Sequence, residues 1–408
     1  MTLASEPRLR GRRVLILIEN LSFPMDRRMR HEAITLRTAG YEVSVICPRG
    51  RHQDHRSFEI FEGIRIYRYP LYQASQSWGY LLEYSWAMLC TFALMLWISA
   101  RRGFDYVHTA NPPDLFWLIF YPFGWLGKKL VYDQHDLSAE TYESKFRRRE
   151  WLYRLLLFLE RGSYRKASLV IAPNKSFYEI AQKRGSVPAE KLAIVRSAPD
   201  LSYFRPTEAR QELKRGYPYM VAYLGVMNSQ DGVDRVVRAA HHLHKIRGRK
   251  DVIFTLIGTG PCWNELKDLA GSLELDGTIN FTGRVSDEDL LAYLSTADVC
   301  VAPDPPIELN HLSTMNKIME YMACGKPIVS FDLIESKRSA GAAAVYVERD
   351  DPALLAAAID DLLQDPARRQ TLGASGYERV HSELDWSHSA RSLIEAYSRL
   401  EPEFSKSS

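Results

Sequence analysis

Short, wholly apolar runs alternate along the chain with longer stretches whose apolar positions recur every three or four residues. Residues 14–18 read as a first strand, and 26–39 have helical spacing and stop at Gly40. Strands are predicted at 41–47 and 63–69, followed by a long helix over about 80–99. Further strands fall at 106–109, 130–132 and 168–172, with helical stretches at 115–123 and 149–165 between them. This is the pattern of a parallel α/β layout.

The series restarts after RPTEARQELKRGYP, a polar boundary containing proline. Strands are predicted at 219–224, 252–257, 278–281, 298–302 and 344–347. Helices are predicted at 232–244, 287–295, 352–363 and 366–380. The division expected is 1–205 for a first domain, 206–380 for a second, and 381–408 for a terminal helix and tail that can return to the first. Two Rossmann-like domains of this kind face each other across a cleft, and ligands of open α/β sheets bind beyond the carboxyl ends of the strands. The first strand lacks a GxGxxG fingerprint, and no GxxxxGK[ST] loop occurs, which weakens dinucleotide-oxidoreductase and P-loop phosphotransferase readings.

Composition adds mainly exclusions. The 408 residues are 46% hydrophobic and 25% charged, enough for two domains with their own cores. With 53 basic and 50 acidic side chains, the net charge of +3 does not favour nucleic acid as a partner. Cysteines 47, 90, 262, 300 and 324 show no zinc or redox spacing and read as reduced thiols of a cytoplasmic protein. The N-terminal residues are charged but lead directly into the first strand without an apolar signal core.

The uncharged run 84–98, YSWAMLCTFALMLWI, stands apart. It is short for a membrane span, which needs roughly 20 apolar residues. A core helix and an interfacial helix both fit it. Trp86, Trp97 and the following Arg101 and Arg102 suit the interface, as do Arg147, Arg148 and Arg149.

The stretch STMNKIMEYMACGKPIV concentrates polar chemistry. Ser313 is expected to cap a helix whose first turn holds Thr314, Met315, Asn316 and Lys317. Free amides there, with the Lys317 charge, would form an anion site. Glu320 lies three residues on and would meet ribose hydroxyls rather than phosphate. A nucleoside diphosphate across this helix start fits, and so does a plain solvated Lys–Glu surface. The turn Gly258–Thr259–Gly260 either reverses the chain or lets its backbone approach a nucleotide.

The order of DRRMRHEA, GYEVSVICP, DQHD, FTGRVSDEDLLAYLSTADV and NKIMEYMACGKPIV resembles the retaining glycosyltransferases of family 4, over most of the chain. The resemblance implies the GT-B fold and sugar transfer from a nucleotide donor without an obligatory metal. UDP is the favoured base. It gives His135 a role beside the donor sugar and acceptor, Lys317 the leaving phosphate, and Glu320 the ribose. Arg27 and Arg28 would assist at phosphate, although they also read as a solvated helix face. Backbone at Gly258, Gly260, Arg284 and Val285 would hold the base, and that of Ser313, Thr314, Met315 and Asn316 the donor. Asn111 and Asp114, in a loop stiffened by Pro112 and Pro113, would shape the acceptor side.

The chain also departs from the family pattern. Leu312 replaces the first glutamate of a Glu-x7-Glu element, and Val226 and Asp231 stand where relatives carry arginine and lysine on the diphosphate. The expected function is retaining transfer to a lipid-linked saccharide or other glycan in surface-polysaccharide or lipopolysaccharide assembly, peripheral on the cytoplasmic face of the inner membrane. A nucleotide-sugar epimerase and a catalytically degenerate sugar-binding or assembly protein are the alternatives.

Overall fold

The computed structural model describes residues 11–50, 56–70 and 77–401, and for 77–81 the backbone alone. The first ten residues and the tail after 401, both covered by the sequence expectations, lie outside the described residues. The chain divides into two compact units, Met1–Arg196 with Ser389–Ser408, and Ser197–His388.

The first unit runs β1 (Arg13–Leu17), α1 (Arg27–Thr38), β2 (Glu42–Pro48), β3 (Phe58–Phe61), β4 (Ile64–Tyr69), α2 (Ser77–Arg101) and β5 (Tyr106–Ala110). It continues through α3 (Phe116–Trp125), β6 (Lys129–Asp133), α4 (Ser138–Phe146), α5 (Trp151–Lys166), β7 (Leu169–Ala172), α6 (Lys175–Gly185) and β8 (Leu192–Ile194). The eight strands lie in the order β3-β4-β2-β1-β5-β6-β7-β8, with only β3–β4 antiparallel. The order reverses between β1 and β5, where chain crossings leave room beyond the strand ends.

Local chemistry explains several element boundaries. The Asp26 carboxylate accepts the Met29 amide at 3.0 Å and starts α1, whose Met29, Ala33 and Leu36 face the sheet. The β3–β4 hairpin was not expected from the sequence. Its two-residue turn uses Glu62 at φ 46° and Gly63 at φ 77°, the paired left-handed geometry that tight hairpins require. Helix α2 sends Ala87, Met95 and Ile98 into a core shared with Leu15, Val107 and Phe120. Only 22% of its apolar window is buried, so a core helix accounts for one narrow stripe of it.

The second unit contains β9 (Tyr219–Leu224), α7 (Val233–His241), β10 (Val252–Ile257), α8 (Trp263–Ser272), β11 (Ile279–Gly283), α9 (Asp287–Thr296) and β12 (Val299–Ala302). There follow α10 (Glu308–Leu312), α11 (Asn316–Ala323), β13 (Ile328–Phe331), α12 (Ile334–Ala340), β14 (Ala344–Val347), α13 (Pro352–Gln364) and α14 (Pro366–Glu383). Its all-parallel sheet has the order β11-β10-β9-β12-β13-β14 and reverses between β9 and β12. Apolar cores cover both faces, one through Val221, Phe254 and Ile359, the other through Met220, Ile318 and Met322. The last helix, α15 (Trp386–Ser398), brings Tyr397 onto the first unit's sheet.

Ser313 does not cap α11. The short helix α10 ends just before it, and its hydroxyl donates back to the Leu309 carbonyl at 2.7 Å. Helix α11 starts at Asn316, preceded by Met315 with no side-chain cap.

Candidate functional site

In the second unit the sequence-predicted residues gather beyond the carboxyl ends of β9 to β12. The Lys317 ammonium lies 2.7 Å from Asp304 Oδ1 and 5.1 Å from the centre of the Tyr223 ring. Tyr223 is the last residue but one of β9 and Asp304 follows β12, so Lys317 and its two neighbours occupy the sheet's reversal point. Burial penalises the lysine charge, but Asp304 outweighs it and holds the ammonium protonated well beyond its ordinary range. The other carboxylate oxygen of Asp304 is buried and accepts no hydrogen bond among the described residues. Lys317 therefore carries a charge matched by Asp304 on one side, with the Tyr223 ring beside it.

Glu320 sits one turn farther along α11 and is half-buried, while Asn316 at the helix start is exposed. Ser313, Thr314 and Met315 form the half-buried connection between α10 and α11. Gly258 has φ 125°, and its Cα packs on the Gly225 carbonyl with no room for a Cβ. Gly260 meets the Met227 backbone in the same way. The glycines of this turn thus bring two strand-end loops together, a job separate from any ligand contact. Arg284 is exposed and Val285 half-buried after β11.

The positions that depart from the family pattern have clear local roles. Val226 is 56% exposed, and its carbonyl accepts the Tyr223 hydroxyl at 2.8 Å. Asp231 closes a capping box by accepting the Asn228 amide at 2.9 Å. Leu312 ends α10.

The first unit builds a second centre beyond β1, β5 and β6. His135 Nε2 lies 2.5 Å from Asp133 Oδ2, and its backbone amide donates to Asn111 Oδ1 at 2.6 Å. Arg28 donates to both Asp133 oxygens, at 2.7 and 3.1 Å, and to the Val195 carbonyl at 2.9 Å. Its guanidinium also pairs with Glu32 at 3.2 Å. Beneath them, His108 Nε2 is 3.2 Å from Glu32 and its Nδ1 is 2.8 Å from the Tyr397 hydroxyl. Sequence reasoning passed over Glu32, His108 and Tyr397, since Tyr397 lies 289 positions from its partner.

Electrostatics follow from this packing. Burial alone would raise the Asp133 carboxyl, but Arg28 and then His135 pull it far below the ordinary range. Burial opposes charge on His135, yet the Asp133 carboxylate raises its proton affinity above that of free histidine. His108 follows the same logic, with Asp133 and Glu32 overcoming burial to lift it to about 9. Glu32, His108 and Asp133 bring ligand atoms within 4.8 Å of one another. A cation there would have to compete with Arg28, which already supplies positive charge to both carboxylates.

Arg28 is therefore committed to internal pairing, while Arg27 next to it is exposed. Asn111 and Asp114 are buried and serve the His135 loop: Asn111 joins Asp114 at 3.0 Å and the Asp136 carbonyl at 2.8 Å. Asp114 accepts Tyr132 and Ser138 hydroxyls at 2.5 and 2.8 Å. These two residues shape the loop from within. Glu19, buried at the end of β1, was also missed; burial, reinforced by Glu83, pushes its carboxyl up to about 7.

Comparison with known proteins agrees with this architecture. A family described as "Glycosyl transferase 4-like domain" matches residues 25–198, and one described as "Glycosyl transferases group 1" matches 218–365. The glycogen synthase of Mycobacterium tuberculosis is 25% identical over 394 residues, covering 91% of this chain and 90% of that protein. Sucrose-phosphate synthase from Thermosynechococcus elongatus superposes with a TM-score of 0.76 at 21% identity, covering 95% and 99% of the two chains. Anabaena HepE in complex with UDP-glucose gives 0.70 at 15% identity, with 95% and 99% covered. With both units matched in order, the chain belongs to the GT-B glycosyltransferases related to family 4, enzymes that transfer sugar from a nucleotide-sugar donor.

Proposed function

We propose that this enzyme is a retaining glycosyltransferase that moves a sugar from a UDP-sugar to a lipid-linked saccharide during surface-polysaccharide or lipopolysaccharide assembly. The observation that carries the reading is Lys317, held by Asp304 at the sheet reversal of the second unit, with Glu320 one turn away. UDP is preferred because HepE, of the same fold, binds UDP-glucose.

In this reading residues 206–380 hold the donor, residues 1–205 the acceptor, and 381–408 complete the first domain. Lys317 neutralises the leaving diphosphate, and Glu320 accepts the ribose hydroxyls. Arg28 acts indirectly by fixing Asp133. Backbone groups from Ser313 to Asn316 meet the donor sugar, taking over from the glutamate that Leu312 replaces. Gly258, Gly260, Arg284 and Val285 border the base. Reaction proceeds as the acceptor hydroxyl attacks the anomeric carbon on the face from which the diphosphate departs. The leaving phosphate takes the hydroxyl proton, and His135 orients the sugar. Catalysis rests on position and preorganised charge.

The enzyme works at the cytoplasmic face of the inner membrane, as the exposed apolar stripe of α2 and the five free cysteines support. The test is incubation with a panel of UDP-sugars and polyprenyl-linked acceptors, followed by NMR of the product. Transfer with the donor's anomeric configuration kept is expected; an inverted linkage, or an epimerised nucleotide sugar formed without acceptor, would overturn the reading. Val226, Asp231 and Leu312 favour one second reading, a sugar-binding protein without turnover, which donor binding with no product would support.

A further inference from the structure

The solvent side of helix α5 carries the wrong residues for a soluble helix. Trp151, Leu155 and Phe158 recur at spacings of four and three and point outward, with Trp151 70% and Phe158 59% exposed. The inward side instead buries Glu160, Ser163 and Tyr164. Glu160 is satisfied there by Arg184 at 3.0 Å and Tyr164 at 2.8 Å, and the Tyr164 ring packs with Tyr132 and Val170, so the helix is anchored without its apolar stripe, which stays outside.

That stripe continues across two neighbouring helices. Trp117 of α3 packs on Gly162 of α5, leaving no room for a Cβ, and Lys166 lies 4.0 Å from the Tyr121 ring centre. Phe92 of α2 meets Phe123 of α3 at 6.2 Å. Right-handed crossovers place all three helices on one face of the sheet. The outward residues are again apolar: Leu89 and Leu96 on α2, and Trp125, 80% exposed, with Leu126 at the end of α3.

Charge identifies what covers this face. Arg154, Arg161 and Arg165 flank the α5 stripe and are exposed. A cavity of about 400 Å³ lined by Arg161, Arg165, Arg184 and Lys191 opens beside them. Exposed tryptophan, leucine and arginine side by side match the boundary between acyl chains and anionic head groups. We propose that the α2–α3–α5 face seats the enzyme flat on an anionic lipid surface, which deepens the membrane part of the reading above and rests on it. Helix α2 lies on the bilayer and does not cross it, because Ala87, Met95 and Ile98 are built into the protein core.

The test is flotation of the intact protein with phosphatidylethanolamine–phosphatidylglycerol vesicles, beside a variant carrying Trp151→Ser, Leu155→Ser and Phe158→Ser. UDP titration and thermal unfolding of both proteins separate loss of docking from loss of the donor site or of the fold. The wild type is expected to float, less so at high salt, and the variant to bind at least about tenfold more weakly with UDP affinity unchanged. Equal flotation of the two folded proteins, or no flotation of the wild type, would overturn the proposal. So would a variant that converts a dimer to monomer while still floating, since the face would then be an interface between copies.

Discussion

The Nε2 atom of His135 lies 2.5 Å from Oδ2 of Asp133, and that carboxylate is held by the buried guanidinium of Arg28. The histidine is thereby oriented from below and kept easier to protonate than a free imidazole. Replacing His135 by Ala should lower transfer by about 10²-fold or more while leaving UDP affinity within about twofold. Transfer rates and calorimetric titration of the same preparation check both halves.

Asp133→Asn removes the charge that raises His135, so any pH–rate limb set by His135 should move to lower pH. It also leaves buried Arg28 with Glu32 as its remaining carboxylate partner, and a stability loss of about 1–3 kcal/mol is expected. Urea unfolding and a pH–rate profile of the variant test this. An unmoved limb in a folded variant would remove Asp133 from the control of His135.

Stability should depend on pH through His108. Its proton affinity is raised to about 9 in the folded protein, against about 6.5 in an unfolded chain. Its contribution is therefore full below about pH 6.5 and is lost as pH rises through about 9, at most on the order of 3 kcal/mol. Unfolding midpoints across that window should fall, and the slope should flatten in His108→Gln. Tyr397→Phe, which removes the hydroxyl beside His108, tests whether the terminal helix supports the pair.

Lys317→Ala alone confounds binding with folding, since it leaves the Asp304 carboxylate buried without its partner. A destabilisation of about 3–5 kcal/mol is expected. The double variant Lys317→Met with Asp304→Asn should recover most of that stability yet bind UDP at least about tenfold more weakly. Thermal melts with and without UDP separate the two effects.

Gly258→Ala should disturb the donor side through the backbone. A Cβ at φ 125° would collide with the Gly225 carbonyl, so a loss of about 2–4 kcal/mol is expected. Gly277→Ala, in open space at positive φ, should cost less. Denaturant midpoints of the two variants give the comparison.

The strand–helix alternation was legible because the buried strands are short apolar runs, as in VLIL at β1 and VIFTLI at β10. The β3 hairpin was missed because FEIF is short and largely outward-facing, with Ile60 exposed. Lys317 and Glu320 stood out through their neighbours, but Asp304 did not, since its importance comes from the sheet reversal. The expected Ser313 cap failed because a five-residue helix intervenes and claims that hydroxyl. Arg28 read from DRRMRHEA as a helper at the donor phosphate or a solvated helix face; only the fold brings Asp133, 105 positions away, onto it and commits it to internal pairing.

The most direct measurement of the donor-site assignment is calorimetric titration of UDP into the intact enzyme and into Glu320→Ala. Saturable binding by the wild type, weakened at least about tenfold in the variant through loss of the ribose contact, is the predicted result. Equal binding by both folded proteins would contradict the site, and no binding of any UDP, GDP, TDP or ADP sugar would contradict the account as a whole.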